Sequence, residues 1–321
     1  MLRKRAGVIA ATALAPAIWG STYLVTTELL PPGRPLLAAV ARALPAGVAL
    51  VALTRRLPQG IWWWRSLALG ALNIGAFFAL LFVAAYRLPG GVAATIGAVQ
   101  PLLVGVLAAG LLGQRLSPRT LIAGVAGLIG VSLLVLRADA RLDTLGIAAA
   151  VSGAIVMATG VVLAKRWTPP APLLATTGWQ LAAGGLLLLP VALLVEGPPP
   201  AALSVANLAG YGYLSVIGAA LAYALWFRGI RELSPTSVTF LGLLSPVVAT
   251  TLGWLALDQE LALVQVFGGL VVLTAVVAVQ GPGPSSVNRP NQRSENHAYN
   301  GVRRGRQRRQ PSCNGGAVPR P

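Results

Sequence analysis

Residues 86–136 read YRLPGGVAATIGAVQPLLVGVLAAGLLGQRLSPRTLIAGVAGLIGVSLLVL, and residues 231–280 read RELSPTSVTFLGLLSPVVATTLGWLALDQELALVQVFGGLVVLTAVVAVQ. Adding 145 to the first numbering lays Leu88 on Leu233, Pro101 on Pro246, Gln114 on Gln259, Leu116 on Leu261 and Gly124 on Gly269, with no gap. A match across a whole block marks a duplication, and a duplication sets the architecture. The prolines are the informative pair. Proline has no amide hydrogen, so it leaves the carbonyl four residues earlier without its helical partner and kinks the axis. Within a membrane this is tolerated where protein or a cavity re-satisfies the backbone. Pro101 and Pro246 are therefore the expected helix kinks, at equivalent places beside a central cavity.

The rest of the chain fits that reading. Of its 321 residues, 55% are hydrophobic and 10% charged, and the mean hydropathy is +0.72. Soluble proteins carry about 25% charged residues. Apolar runs of about twenty residues recur, each long enough for a hydrocarbon core of about 30 Å. Ten spans are read: 7–28, 36–54, 66–86, 90–113, 119–136, 145–164, 173–194, 208–227, 235–257 and 261–280. The expected fold is all-α, a polytopic membrane protein of ten transmembrane helices. The first run, with Ala15-Pro16-Ala17 in it, superficially resembles a cleaved leader. It continues past that point through Trp19 and Tyr23, so a retained helix is expected.

Upstream, the repeat continues at an offset of 138: Arg42 meets Gln180, Gly47 meets Gly185 and Ser21 meets Thr159. A seven-residue difference in one connection explains the shift. Each copy, 7–136 and 145–280, then holds five helices. Five is odd, so the copies enter the membrane from opposite sides as inverted repeats, a transporter design with its site near the midplane between the halves. With the N-terminus inside, twelve basic residues lie on the inner ends and loops, against four (Arg34, Arg87, Arg137, Arg141) on the outer ones. That asymmetry places both termini in the cytoplasm. Residues 281–321 carry eight Arg and one Glu and too little apolar surface to fold. They read as a disordered, solvated cytoplasmic tail. The alternative is a tail that binds anionic lipid or RNA.

Little in the inventory suggests catalysis. His297 and Cys313, the only His and Cys, lie in the tail. Thiol, His-triad and His/Cys metal chemistry are thus excluded from the spans. No carboxylate cluster suited to Mg²⁺ is present, and no metal or cofactor is expected. Two charges do stand out, because an ionisable residue in a span is a functional candidate by default. Arg42 lies roughly 9 Å in from the outer end of its helix at 1.5 Å per residue. It either faces the cavity, binding a substrate carboxylate or Glu28, or snorkels to the outer interface. Glu28 is the candidate proton-coupling acid, or an ordinary helix-end residue.

The candidate substrate-binding set is Trp19, Thr22, Tyr23, Arg42, Asn73, Phe77, Gln100, Gln180, Tyr223 and Ser245. Phe78, Thr95, Trp179, Trp226, Thr250 and Thr251 lie in the same clusters. Asn73, Gln100 and Gln180 should face the bundle interior, where interhelical hydrogen bonding serves as well as substrate binding. Tyr223, Trp226 and Trp62 to Trp64 also fit an interfacial aromatic belt. Gly97, Gly105, Gly110, Gly124, Gly127, Gly268 and Gly269 read as close helix packing.

WGSTYLVTTELLPP in the first span, VARALPAG in the second, LFVAAYRLPGGVAATIGAVQPLL across the third and fourth, and GQRLS after them resemble the EamA family. That family belongs to the drug/metabolite transporter superfamily, and the wording is nearest its PecM-like, pigment-exporting branch. The resemblance covers 7–280 and leaves out the tail. It implies a bacterial inner-membrane secondary transporter that exports small organic metabolites, amino acid-like or pigment- and drug-like, with a small-molecule substrate and the lipid bilayer as its partners. One departure is visible: Gln114 and Gln259 stand where the family often has Glu, although Glu260 is adjacent. A membrane scaffold or receptor with a basic binding tail is the alternative. It needs neither an inverted repeat nor polar groups in many helices, and deletion of 281–321 separates the two.

Overall fold

The computed structural model describes residues 2–88, 90–135, 143–200, 202–257 and 260–280. The tail, with His297, Cys313 and the basic run, therefore lies outside the described residues. Among the described residues the secondary structure is helical throughout, and ten helical spans are long and apolar enough to cross a bilayer.

In chain order these are α1 (Leu2–Leu29), α2 (Pro35–Thr54) and α3, which runs Trp62–Gly70, passes through a π-helical turn at Ala71–Gly75 and continues as Ala76–Arg87. The fourth, α4, is in two pieces, Gly90–Gly97 and Gln100–Leu112. Then come α5 (Pro118–Val135), α6 (Thr144–Arg166) and α7 (Leu173–Glu196). The eighth, α8, runs Val205–Ser215, a π-helical turn at Val216–Leu221, then Ala222–Glu232. The ninth, α9, is again in two pieces, Pro235–Gly242 and Leu244–Ala256, and α10 is Leu263–Gln280. Starts are capped locally. Asp143 accepts from Gly146 N at the head of α6, Ser204 and Asn207 form a reciprocal capping box on α8, and Ser234 accepts from Ser237 N on α9.

The irregularities recur at the same offset as the sequence. The π turns begin at Ala71 and Val216, and the first pieces of α4 and α9 end at Gly97 and Gly242. Both pairs are 145 apart. Pro101 and Pro246 stand just after those breaks, each in the first turn of the second piece. The expected kink is thus a full interruption. Proline withdraws the donor for the carbonyls of Gly97 and Gly242, and the glycine at each break adds its own helix-weakening preference.

Spans α3 and α8 reach further than the sequence suggests, to Trp62 at one start and to Val205 and Glu232 at the ends of the other. Tryptophan and arginine have apolar bodies and polar tips, so a helix can run on through the interface on such residues. Two more expectations are revised. Tyr223 and Trp226, each 2% exposed, lie in the core rather than in an interfacial belt. In the tryptophan run, Trp63 and Trp64 are exposed at 57% and 65%, whereas Trp62 is buried.

The most extensive packing is α2 on α7, followed by α5 on α10. Both are pairs of repeat counterparts. The α2–α7 crossing depends on glycine: a Cβ at Gly47 would collide with the backbone N of Ala182, and one at Gly185 would lie 2.8 Å from Leu44 Cβ. Gly130 and Gly268 do the same for α5 and α10. Gly97 and Gly110, expected at tight contacts, have open space where a Cβ would be. Outward, large apolar side chains such as Leu194, Leu263 and Val277 are exposed at 71–88%. That surface suits a lipid solvent, where apolar exposure carries no hydration cost.

Candidate functional site

The residues that converge do so around a carbonyl. Gly218 sits in the π turn of α8, where the wider turn breaks the regular backbone ladder. Its oxygen accepts from Arg42 Nη2 of α2 at 2.8 Å and from Trp19 Nε1 of α1 at 3.0 Å. The Arg42 guanidinium also lies 5.5 Å from the Phe78 ring centroid of α3, within cation–π range. The Trp19 ring is 5.1 Å from Tyr223 and 5.1 Å from Trp226, both on α8. Ser21 Oγ and Tyr213 Oη are 2.6 Å apart. Four helices thus meet on one cation, one backbone oxygen and an aromatic wall. Within that wall the Trp226 indole N–H is buried without a hydrogen-bond partner among the described residues, as is the Thr22 hydroxyl on α1.

Not every candidate residue joins this group. Asn73 and Gln180 are buried and bonded to each other, Asn73 Nδ2 donating to Gln180 Oε1 at 3.1 Å. Asn73 lies in the π turn of α3 and Gln180 on α7. Phe77 stacks on Phe78 at 5.8 Å and turns toward Gly153 of α6, so Phe78 rather than Phe77 covers Arg42. Gln100 and Ser245 are repeat counterparts beside the helix breaks, both half-buried, and the Ser245 carbonyl lies where a Cβ on Gly20 of α1 would point. The Tyr23 side chain lies outside the described part of the structure.

Glu28 offers a correction. The sequence suggests it as the partner of Arg42 in an empty site. It is exposed near the C-terminal end of α1, and Arg42 is held by Gly218. The acid that serves α2 is Glu196 at the end of α7. Its carboxylate accepts from Leu36 N at 2.6 Å and Leu37 N at 2.8 Å, capping the positive end of α2. Arg34 closes the same edge by donating to the Pro198 carbonyl.

Gly218 and Glu196 escape residue-by-residue reading for different reasons. Gly218 acts through a backbone oxygen, and its one sequence signal is that it lies 145 after Asn73. Glu196 reads as a helix-end acid until α2 is packed beside it. The arrangement sets a charged donor, Arg42, beside the apolar rings of Trp19, Tyr223 and Trp226.

The sequence profile of the EamA-like transporter family matches residues 5–136 and again 144–280. The chain belongs to the EamA-like transporter family. It is 48% identical over 268 residues to Protein PecM of Dickeya dadantii, covering 83% of this chain and 90% of that one. It is 31% identical to a WAT1-related chloroplastic protein of Arabidopsis thaliana, over 82% of this chain and 67% of that one. It is 29% identical to the uncharacterized inner membrane transporter YedA of Escherichia coli K12, over 82% and 87%. A solved crystal structure aligns with a TM-score of 0.72 at 18% identity, covering 85% of this chain and 96% of the other, a likeness of fold. The chain is accordingly a multi-pass membrane transporter of the EamA, PecM-like kind.

Proposed function

We propose that this EamA-family member is a secondary transporter that exports small organic metabolites across the bacterial inner membrane, with both termini cytoplasmic. The halves 7–136 and 145–280 act as inverted repeats and expose the site alternately to each side. The acidic group of the substrate binds Arg42. One observation carries the reading: a guanidinium seven residues inside α2 is held on a neutral carbonyl, Gly218 O, with an aromatic wall beside it. A carboxylate offers that guanidinium two charged acceptors in fork geometry and therefore competes with the Gly218 carbonyl. When it does, the bonds that tie α2 and α1 to the π turn of α8 loosen. Binding is thereby linked to movement of one half against the other. Trp19, Thr22, Tyr223 and Trp226 supply the remaining contacts, and Glu28, exposed at the outer face, is the acid available for proton coupling.

The experiment has two stages. Metabolites that accumulate in a deletion strain are identified, then assayed for flux in proteoliposomes. Failure of any accumulated acidic metabolite to move would refute the reading. A C-terminal alkaline-phosphatase fusion should be inactive and a C-terminal GFP fusion fluorescent; the reverse pattern overturns the orientation. A Glu28→Gln protein that still concentrates substrate along a proton gradient removes the coupling role alone.

A further inference from the structure

Helices α5 and α10 pack antiparallel. Their backbones touch at Gly130 and Gly268, where a Cβ on either would meet the carbonyl of the other. Beyond that contact, near the C-terminal end of α5, Gln265 Nε2 of α10 donates to Leu134 O at 3.1 Å. Toward the start of α5 the facing residues are alanines, and the surface opens. Ala123 and Ala275 are buried as a floor, while Ile122 and Phe267 rise beside them, exposed at 71% and 60%. The result is a groove of about 580 Å³, open along one side of the bundle. Thr274 lines it with its hydroxyl already donating to Leu270 O within the helix, so the groove makes no polar demand along its length.

Its one charge is at an end. Arg119, the second residue of α5, lines the groove and is exposed. The two ion pairs formed among the described residues, Arg87 with Asp143 and Arg228 with Glu232, leave it out. The lining runs from Phe267 to Ala278 along α10. Those steps of 1.5 Å per residue make about 16 Å, one leaflet of a hydrocarbon core about 30 Å thick. The groove is thus half a bilayer long, apolar along its length and cationic at one end. In a membrane the surrounding acyl chains are as apolar as the groove, so burial alone selects nothing. Selection falls to packing and to the guanidinium, which holds a phosphate through paired, charge-assisted hydrogen bonds.

We propose that this groove binds one anionic phospholipid, with its phosphate on Arg119 and one acyl chain laid between α5 and α10. A zwitterionic headgroup carries its own cation, which competes with Arg119 for the phosphate; an anionic one does not. In the orientation proposed above Arg119 lies at the cytoplasmic face, so the lipid belongs to the inner leaflet. The leaflet rests on that orientation; the binding does not. Residues 281–321 suit the groove poorly, being polar and carrying eight Arg of the same sign as Arg119.

The test is native mass spectrometry of the purified full-length chain, released from detergent that holds phosphatidylglycerol and phosphatidylcholine in equal amounts. Wild type should retain phosphatidylglycerol at least about fivefold over phosphatidylcholine, the scale of one basic side chain at an anionic surface. Arg119→Gln should remove most of that preference, and Arg119→Lys should keep part of it. Thr274→Trp adds bulk at an exposed position in the groove without changing charge. It should cut retention of both lipids at least about fivefold, as overpacking does. A full-length chain with Arg303, Arg304, Arg306, Arg308 and Arg309 all changed to Gln should keep the preference. Equal retention of the two lipids by wild type, or a preference intact in Arg119→Gln, overturns the proposal. So does a preference lost only in the Arg303–Arg309 variant, which would place the lipid on the tail. A wild-type dimer that Thr274→Trp splits, with lipid retention unchanged, would put a second copy in the groove and overturn it equally. None of these readouts involves flux, so they stand or fall apart from the transport reading.

Discussion

Two junctions in the molecule are built alike and filled differently. In one, Arg42 of α2 meets Gly218 in the π turn of α8; in the other, Gln180 of α7 meets Asn73 in the π turn of α3. Arg42 and Gln180 are counterparts at an offset of 138, and Asn73 and Gly218 at 145. The neighbours diverge in step: Trp19 corresponds to Met157, and Thr22 to Gly160, which packs directly against the Asn73 amide. The second junction is closed. Two neutral side chains bond to each other, and the Asn73 amide lies directly against Gly160 of α6. The first pairs a charge with a backbone oxygen, a contact that an anion can replace, and lines it with aromatic rings. The shared frame is what the duplication supplied, and in the proposed transport reading the substitutions in one copy turn a fastening into a binding site.

The largest expected effect breaks the frame itself. Gly47→Leu drives a side chain into the backbone of α7, and overpacking of this kind has no flexible neighbour to absorb it. We expect no monodisperse protein on size-exclusion chromatography, and a normally folded Gly47→Leu would mean that α2 and α7 do not cross as described. Next comes Trp19→Phe, which keeps a ring against Tyr223 and Trp226 but removes the donor to Gly218 O. Flux should fall about three- to tenfold at unchanged abundance, in line with one lost hydrogen bond of about 1 kcal/mol. The smallest is Asn73→Ala. It leaves Gln180 without its partner and should cost about 1 kcal/mol, as interhelical hydrogen bonds in membranes do, seen as a small fall in melting temperature. Flux per folded molecule should stay the same. A large loss of flux in Asn73→Ala would erase the distinction between the two junctions.

Much of the frame is legible in the sequence, for identifiable reasons. Ten spans follow from apolar run length, and the places of Pro101 and Pro246 follow from a gapless repeat. The π turns do not. ALNIG and VIGAAL contain no proline and no composition that separates a π turn from an ordinary one, so only the structure reveals that α3 and α8 both loosen there. In the site, Arg42, Trp19 and Tyr223 are visible because charge and large aromatics are conspicuous in apolar helices. Gly218 contributes no side chain, and the Asn73–Gln180 bond joins residues 107 apart in the chain. Both depend on how the helices pack. Trp226 reads as either belt or interior, and its burial against Trp19 decides for the interior.

Flux of the accumulated acidic metabolite in proteoliposomes, compared between wild type, Arg42→Gln and Arg42→Lys at equal incorporation, tests the central claim most directly. Arg42→Gln installs the residue of the closed junction. Loss of a charged, forked contact should lower flux about ten- to a hundredfold, with Arg42→Lys between, because lysine keeps the charge without the fork. Wild-type flux in Arg42→Gln would contradict the account and leave Arg42 as a structural tie between α2 and α8.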